Sequence, residues 1–409
     1  MKRYMNKNWK TKFYTIWFGQ AISLITSAVL QMVIIWHLTS TTGSAMILSI
    51  ASLVGFLPQA ILGSMIGVFV DRWNRKVVMI GADLIVAASG LALVIISLSI
   101  ELPIWVIMVI LFIRSVGSAF HSPALDATTP LLVPEDQLAK CAGYTQSIQS
   151  VSFILSPVLA AIVYDQWGLN VAVAMDVGGA LFASLMVAIV AIPKQMKREN
   201  VQNKFFAEFK EGYYAVKRNK LLFTLLCVGT VYAIVFMPIS ALYPLMSLDY
   251  FNGTTFHASI VEITFAVGML LGGLLLGFWG GFKRRILNIV GSIALMGVSL
   301  LLTGMLPPSG FIPFVILCAF MGLSVPFYNG VQVAIFQEKI EPEYLGRVFG
   351  LLGSMMSLAM PIGLIFSSLF ADRIGIQRWF GLSGIIILII AFTSLFLPAF
   401  KNSKETKNN

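Results

Sequence analysis

Charge is scarce in this chain. Asp, Glu, Lys and Arg make up 11% of its 409 residues, against roughly 25% in soluble domains. Cysteine and histidine are scarcer still, three of each. Cys141, Cys227 and Cys318 lie far apart and mostly in apolar runs, which excludes a disulfide framework or a zinc spacing and leaves them as small hydrophobes. HExxH, GxSxG and GxxxxGK[ST] are all missing. Their absence removes the metalloprotease, the serine hydrolase and the nucleotide-driven motor, so neither an enzyme nor a bound metal or cofactor is expected. Any uphill movement by such a chain would draw on an ion gradient, where one charge crossing about 100 mV brings about 2.3 kcal/mol.

What is abundant is apolar surface. The chain is 58% hydrophobic with a mean hydropathy of +0.87, more than a soluble domain can cover. Twelve apolar runs are predicted, over 13–37, 45–70, 77–100, 104–120, 139–163, 171–192, 221–246, 258–279, 286–306, 311–332, 349–370 and 380–399. Runs of about 20 residues can cross the ~30 Å of a bilayer's hydrocarbon. They are aperiodic and rich in Gly, Ala and Ser, which reads as helices rather than the alternating strands of a barrel. The first run is expected to stay as a helix, since no small-residue cleavage site follows it.

The net charge of +10 is not a nucleic-acid footprint, because the cations sort by side. With the N-terminus placed in the cytoplasm, 25 of the 28 Lys and Arg fall in the cytoplasmic segments. Only Arg373 and Arg378 fall on the other side, and Arg114 lies within a helix. That bias predicts a multi-pass protein of a cytoplasmic membrane with both termini inside.

The second half echoes the first at an offset near 207. Asp165 and Gly168 match Asp372 and Gly375, Pro157 matches Pro361, and Gly67 matches Gly277. The shared order predicts two six-helix halves. The expected division is 1–192 for the first bundle, 193–220 for a linker, 221–400 for the second bundle and 401–409 for a tail. The linker carries Phe205, Phe206, Phe209, Tyr213 and Val216 at helical spacing among eight cations, the pattern of a short amphipathic helix on anionic lipid.

Several residues are candidates for function. Gly67, Asp71, Arg72, Arg75 and Lys76 place four charges within six residues between two apolar runs. A charge in hydrocarbon costs roughly 2.5–3.5 kcal/mol on insertion scales, so this cluster must be a loop at a membrane face. Helix one carries Gln20, Ser23, Ser27 and Gln31 on one face, and helix five carries Thr145, Gln149, Ser152 and Ser156. Two such stripes would line a water-filled cavity, and would equally serve as polar contacts between packed helices. Gln31 and Gln149 are the first cavity candidates, amides being costlier to bury than hydroxyls. In the second half, Tyr232, Phe236, Phe265, Phe327, Tyr328, Asn329 and Gln332 offer an aromatic surface with polar tips; packing would use the same residues. Four ionisable residues lie within helices: Asp83, Arg114, Asp176 and Glu262. Asp83 and Arg114 each sit about six residues inside a cytoplasmic end, ~9 Å deep at 1.5 Å per residue, which predicts that they pair. Glu262 and Asp176 compete as proton-exchanging carboxyls, because low-dielectric surroundings favour the neutral form of a carboxyl. Gly268-xxx-Gly272 and Gly273-xxx-Gly277 are expected to allow close helix contact.

The Gly67 to Lys76 loop resembles the signature loop of the major facilitator superfamily, with Asn74 at a position where that family often has Gly. The resemblance implies an all-α membrane fold of two six-helix bundles and alternating access between them, with the Asp71–Arg72 loop as a gate. Arg114-Ser115-Val116-Gly117 loosely resembles the family's helix-four motif, whose Arg is linked to proton coupling. Ser152-xxx-Ser156-Pro157-xx-Ala160-Ala161 is similar to its antiporter motif, with small residues at each Gly position. Four further stretches carry a narrower likeness: Phe13–Ala21, Leu111–Ala124, Thr128–Glu135 and His257–Gly273. They resemble the bacterial macrolide-efflux proteins along the whole chain. This implies proton-driven export of 14- and 15-membered macrolides, resistance to them, and a possible ABC-F type ribosome-protection partner encoded nearby. An exporter of other lipophilic compounds, a nutrient symporter, and a membrane partner that assists another resistance protein without transporting alone are the other readings.

Overall fold

The computed structural model describes residues 8–70, 73–99, 102–134, 137–192, 205–282, 284–341 and 344–401. Asp71, Arg72, Glu135, the stretch 193–204, Lys283 and the tail beyond Lys401 lie outside the described residues. Among the described residues the fold is all α: α1 (Trp9–Thr42), α2 (Ala45–Val70), α3 (Arg75–Ser99), α4 (Ile104–Leu132), α5 (Leu138–Ile189), α6 (Phe205–Arg218) and α7 (Lys220–Leu245). A π-helical turn at Met246–Tyr250 leads to α8 (Thr255–Trp279), α9 (Arg285–Thr303), α10 (Phe311–Lys339), α11 (Leu345–Ile374), α12 (Ile376–Phe396) and α13 (Pro398–Lys401).

Ten of these helical segments are long and apolar enough to span a membrane. One of them contains both arms of α5, which is redirected at Gly168 (φ 73°, ψ −170°), and α2 adds a further span. The result is twelve crossings, as the hydropathy predicts. Large apolar side chains such as Leu98, Phe278 and Phe392 stand 63–88% exposed, a surface suited to lipid rather than water. Gly168 and Gly375, matched by the internal repeat, both take positive φ, 73° and 90°. A Cβ would meet nothing within 4 Å at either position. The backbone conformation, not space, calls for glycine there.

The chain forms two units, Met1–Thr41 with Ala51–Val201, and Thr42–Ile50 with Gln202–Asn409. In the first, α3 packs against α4 and α5, over a core that includes Phe13, Ile16, Met79, Ala119 and Val187. Lipid provides no hydrophobic drive between helices, so close contact depends on small residues. Gly179 takes the Thr26 side chain of α1, and Gly90 takes Val177.

In the second unit, a Cβ at Gly268 or Gly272 of α8 would strike the Ala319 or Leu323 carbonyl of α10. A Cβ at Gly322 of α10 would likewise strike the Phe265 carbonyl. The sequence pattern also nominated Gly273 and Gly277, but these meet nothing within 4 Å. They lie on another face of α8, because helical rotation separates positions 268 and 273. α6 docks on α11 through Glu211–Arg347 at 2.9 Å, with Gly212 against the Arg347 backbone. The first turn of α2 also belongs to this unit. The Asp372 carboxylate, near the end of α11, accepts from Ala45 N (2.5 Å), Met46 N (3.0 Å) and Ser44 Oγ (2.5 Å). It thereby satisfies free donors at a helix N-terminus. Ser49 and Ser367 hydrogen-bond a turn further on, at 2.8 Å.

One boundary differs with consequence. The apolar run ends at residue 120, yet α4 continues to Leu132 through Pro123 and Pro130. Hydropathy follows the hydrocarbon, whereas the helical ladder continues wherever its carbonyls find donors. Thr128 Oγ1 donates to Ala124 O at 2.7 Å, and Arg75 Nη1 reaches Ala127 O at 2.5 Å.

Candidate functional site

The buried charges of the first unit form two clusters on the same helices. In one, Arg114 of α4 pairs with Asp176 in the second arm of α5, with Arg114 Nη2 3.3 Å from Oδ1. Ser27 Oγ of α1 donates to the same Oδ1 at 2.6 Å. Asp176 is fully buried and Arg114 is 9% exposed. In the other cluster, Asp83 Oδ1 lies 3.4 Å from His121 Nε2 of α4, and Ser184 Oγ donates to Oδ2 at 3.4 Å.

The expected Asp83–Arg114 pair is therefore not formed. Its depth was counted from residue 120. With α4 running to Leu132, Arg114 stands 18 residues from that end, about 27 Å along the axis. His121, one residue past the expected helix end, takes the place opposite Asp83 instead. Sequence reading missed His121 and Ser184 as partners. The available signal was spacing: Arg114 and His121 are seven apart, on one face of α4.

Of the signature-loop residues, Arg75 and Lys76 are described, and both hold helix ends. Lys76 Nζ reaches the carbonyls of Ala188 (2.5 Å) and Val190 (3.0 Å) at the end of α5. Cations there complement the negative helix terminus. Gly67 lies near the end of α2.

The polar stripes divide. The Gln31 amide faces Gly55 of α2, 3.9 Å from where a Cβ would stand. Gln20 Nε2 is buried without a hydrogen-bond partner. In α5, Ser152 and Ser156 are buried and bonded to each other at 3.2 Å. Pro157 and Ala160 are buried beside them, while Gln149 is exposed.

The second unit brings together part of the predicted aromatic surface. Tyr232 stacks on Phe236 with centroids 5.7 Å apart and lies 4.9 Å from Tyr328. Gly229 makes room for the Tyr328 hydroxyl, and the Gln332 amide lies beside it with Nε2 buried and unbonded. Phe265 is not in this group. It packs on Tyr243 at 5.9 Å, which in turn meets Phe314 and Phe380. Asn329 is exposed, because adjacent helical positions point about 100° apart. Glu262 is half-buried in α8 between buried Val261 and Phe265. Among the described residues it carries no hydrogen bond or ion pair.

Among the described residues, the second unit holds an acidic group without a counter-ion and an aromatic cluster beside the Gln332 amide, and the first unit holds two buried charge clusters. Among the described residues no group of His, Cys, Asp and Glu could hold a metal ion.

Comparison with known proteins bears on the family and the fold. The profile described as Major Facilitator Superfamily matches residues 16–259 and 230–409. Macrolide efflux protein A of Streptococcus pyogenes is 62% identical over 392 residues, 96% of each chain. The Enterococcus faecalis protein of the same name is 61% identical over 323 residues, covering 79% of this chain and all of that one. Among solved structures, the POT family transporter PepTSo superposes with a TM-score of 0.72 at 11% identity, over 96% of this chain and 99% of that one. At that identity the likeness concerns the fold alone.

Proposed function

We propose that this chain, which belongs to the Major Facilitator Superfamily and is a multi-pass membrane protein, exports macrolide antibiotics across the cytoplasmic membrane in exchange for protons. The observation that carries the reading is the 62% identity, over nearly the full length of both chains, to a macrolide efflux protein. Macrolides are bulky lipophilic amines. The Tyr232–Phe236–Tyr328 cluster supplies flat apolar surface for the ring, and Gln332 supplies an amide for its oxygens. Glu262 is the proton-exchanging carboxyl of the second unit, since among the described residues no counter-ion neutralises it, whereas Asp176 is already neutralised by Arg114. Two six-helix halves give alternating access, both termini face the cytoplasm, and the Asp71–Arg72 loop is the inner gate.

The test is uptake of labelled erythromycin into inverted vesicles containing only this protein, under an inside-acidic gradient that is then collapsed. Accumulation that vanishes on collapse is expected. Vesicles holding folded protein that accumulate nothing would refute autonomous proton-driven export. They would direct attention to a required partner, such as the ABC-F type protein the resemblance implies.

A further inference from the structure

Asp83 is a buried acid, 7% exposed, and among the described residues no arginine or lysine pairs with it. An unpaired charge in such surroundings costs several kcal/mol, so the groups around it decide its state. Among the described residues, Arg75 and Lys76 of its own helix are bonded to the carbonyls of Ala127, Ala188 and Val190. On α4, Arg114 is bound to Asp176 of α5. Asp126, five residues past His121 on α4, is acidic and cannot neutralise Asp83. Ser184 of α5 donates to Asp83 but carries no charge. That leaves His121, whose side chain is 15% exposed and whose Nε2 stands 3.4 Å from Asp83 Oδ1. This nitrogen has no hydrogen-bond partner as it stands.

The geometry has slack that the neighbouring cluster lacks. Charge-assisted hydrogen bonds close to about 2.7–2.9 Å, and Ser27 reaches Asp176 at 2.6 Å. Both contacts to Asp83 are 3.4 Å. One turn away, Gly117 of α4 meets Val86 of α3 with no room for a Cβ. The helices therefore touch beside the pair, and a small change in their packing opens or closes the gap.

We propose that Asp83 and His121 form a proton-sharing pair that takes up and releases a proton during the transport cycle. The idea rests on the reading of proton-coupled export and adds a site in the first unit. The pair holds one proton in two equivalent forms, carboxylate with imidazolium or carboxyl with imidazole, both of zero net charge. Losing that proton to water leaves carboxylate with imidazole, net charge −1. Regaining it restores neutrality. Closing the gap favours the one-proton state, and opening it so that water reaches the carboxylate favours release, which ties protonation to α3–α4 packing. Histidine suits the role because its imidazole can hold the proton or pass it to the carboxylate beside it. His121 is a positioning residue for the charge on Asp83, not a group that touches the drug.

The test uses purified full-length protein in liposomes and labelled erythromycin, with two readouts. The first is accumulation driven by a proton gradient, which at about 100 mV supports at most about fiftyfold per proton. The second is gradient-free exchange of labelled for unlabelled drug, measured between about pH 5 and 8. In His121→Gln and Asp83→Asn, accumulation is expected to fall by up to the roughly fiftyfold that one proton supports, while exchange persists with a flattened pH dependence. Asp83→His combined with His121→Asp restores both, and Ser184→Ala, which keeps both titrating groups, moves the pH midpoint without flattening the profile. Single variants that keep the wild-type profile overturn the proposal. So does loss of exchange at every pH with a lowered melting temperature in the singles and no rescue in the swap, which is the signature of a packing role. Wild-type protein that ignores the gradient removes the coupling on which the proposal rests. Wild-type protein that responds, with singles responding alike, removes the pair's role only.

Discussion

Removing one partner of the Arg114–Asp176 pair exposes what holds the first unit together. Asp176→Leu leaves the guanidinium in a site where its side chain is 10% exposed and its partner's is 0%. Stranding a buried charge costs about 3–5 kcal/mol, and the lost Ser27 bond adds about 1 kcal/mol. The double variant Arg114→Leu with Asp176→Leu removes both charges and fills the space with apolar atoms, a replacement that is often neutral or even stabilising by about 1–4 kcal/mol. The double should therefore melt well above Asp176→Leu alone, with a coupling of about 3 kcal/mol between the sites. Thermal unfolding of the detergent-purified protein, followed by tryptophan fluorescence across the four members of the cycle, measures this. A double variant that melts at or below the single would refute the reasoning. It would mean that Arg114 is neutralised elsewhere, or that shape rather than charge decides the site.

The glycines of α8 make a paired prediction. Gly268→Ala drives a methyl into the Ala319 backbone, an overpacking cost of about 1–3 kcal/mol. Gly273→Ala meets nothing within 4 Å and should be neutral or gain up to about 1 kcal/mol of helix propensity. Melting temperatures of equal sign would sink this assignment. Asp372→Ala removes three hydrogen bonds at the start of α2 and is expected to cost about 0.5–2 kcal/mol. Asp372→Asn should retain more of the cap, and equal melting of the two variants would contradict it. Glu262→Gln should abolish gradient-driven macrolide accumulation while leaving gradient-free exchange in the same liposomes; undiminished accumulation would exclude Glu262 as a proton carrier.

In the candidate site, residue types were legible in the sequence and the contacts between them were not. Asp83, Arg114, Asp176 and Glu262 were visible, because a charge in an apolar run stands out, whereas His121 was not. Which of them meet depends on where each helix ends and how it is rotated, and local hydropathy reports neither. Arg114 lies further from the end of α4 than its apolar run suggests, because the helix continues twelve residues past that run, through two prolines. Phe265 was grouped with Tyr232 by residue type, yet faces Tyr243. Lys76 was legible as a loop cation, but its grip on the Ala188 and Val190 carbonyls was not, since those atoms lie more than a hundred residues away.

The chain alone determined that this protein is all-helical and crosses a membrane twelve times, because each crossing must satisfy its own backbone and present apolar surface along its whole length. The repeat in the sequence likewise pointed to the two positive-φ glycines, Gly168 and Gly375, since a backbone of that conformation restricts the residue that can occupy it. Tertiary structure alone decided that Asp83 faces His121, that Arg114 faces Asp176, and that Gly268 rather than Gly273 meets α10. These are contacts between helices, set by the rotation and rise of each one. In lipid, packing of small residues fixes both, without the hydrophobic stripe that would reveal them in a water-soluble helix.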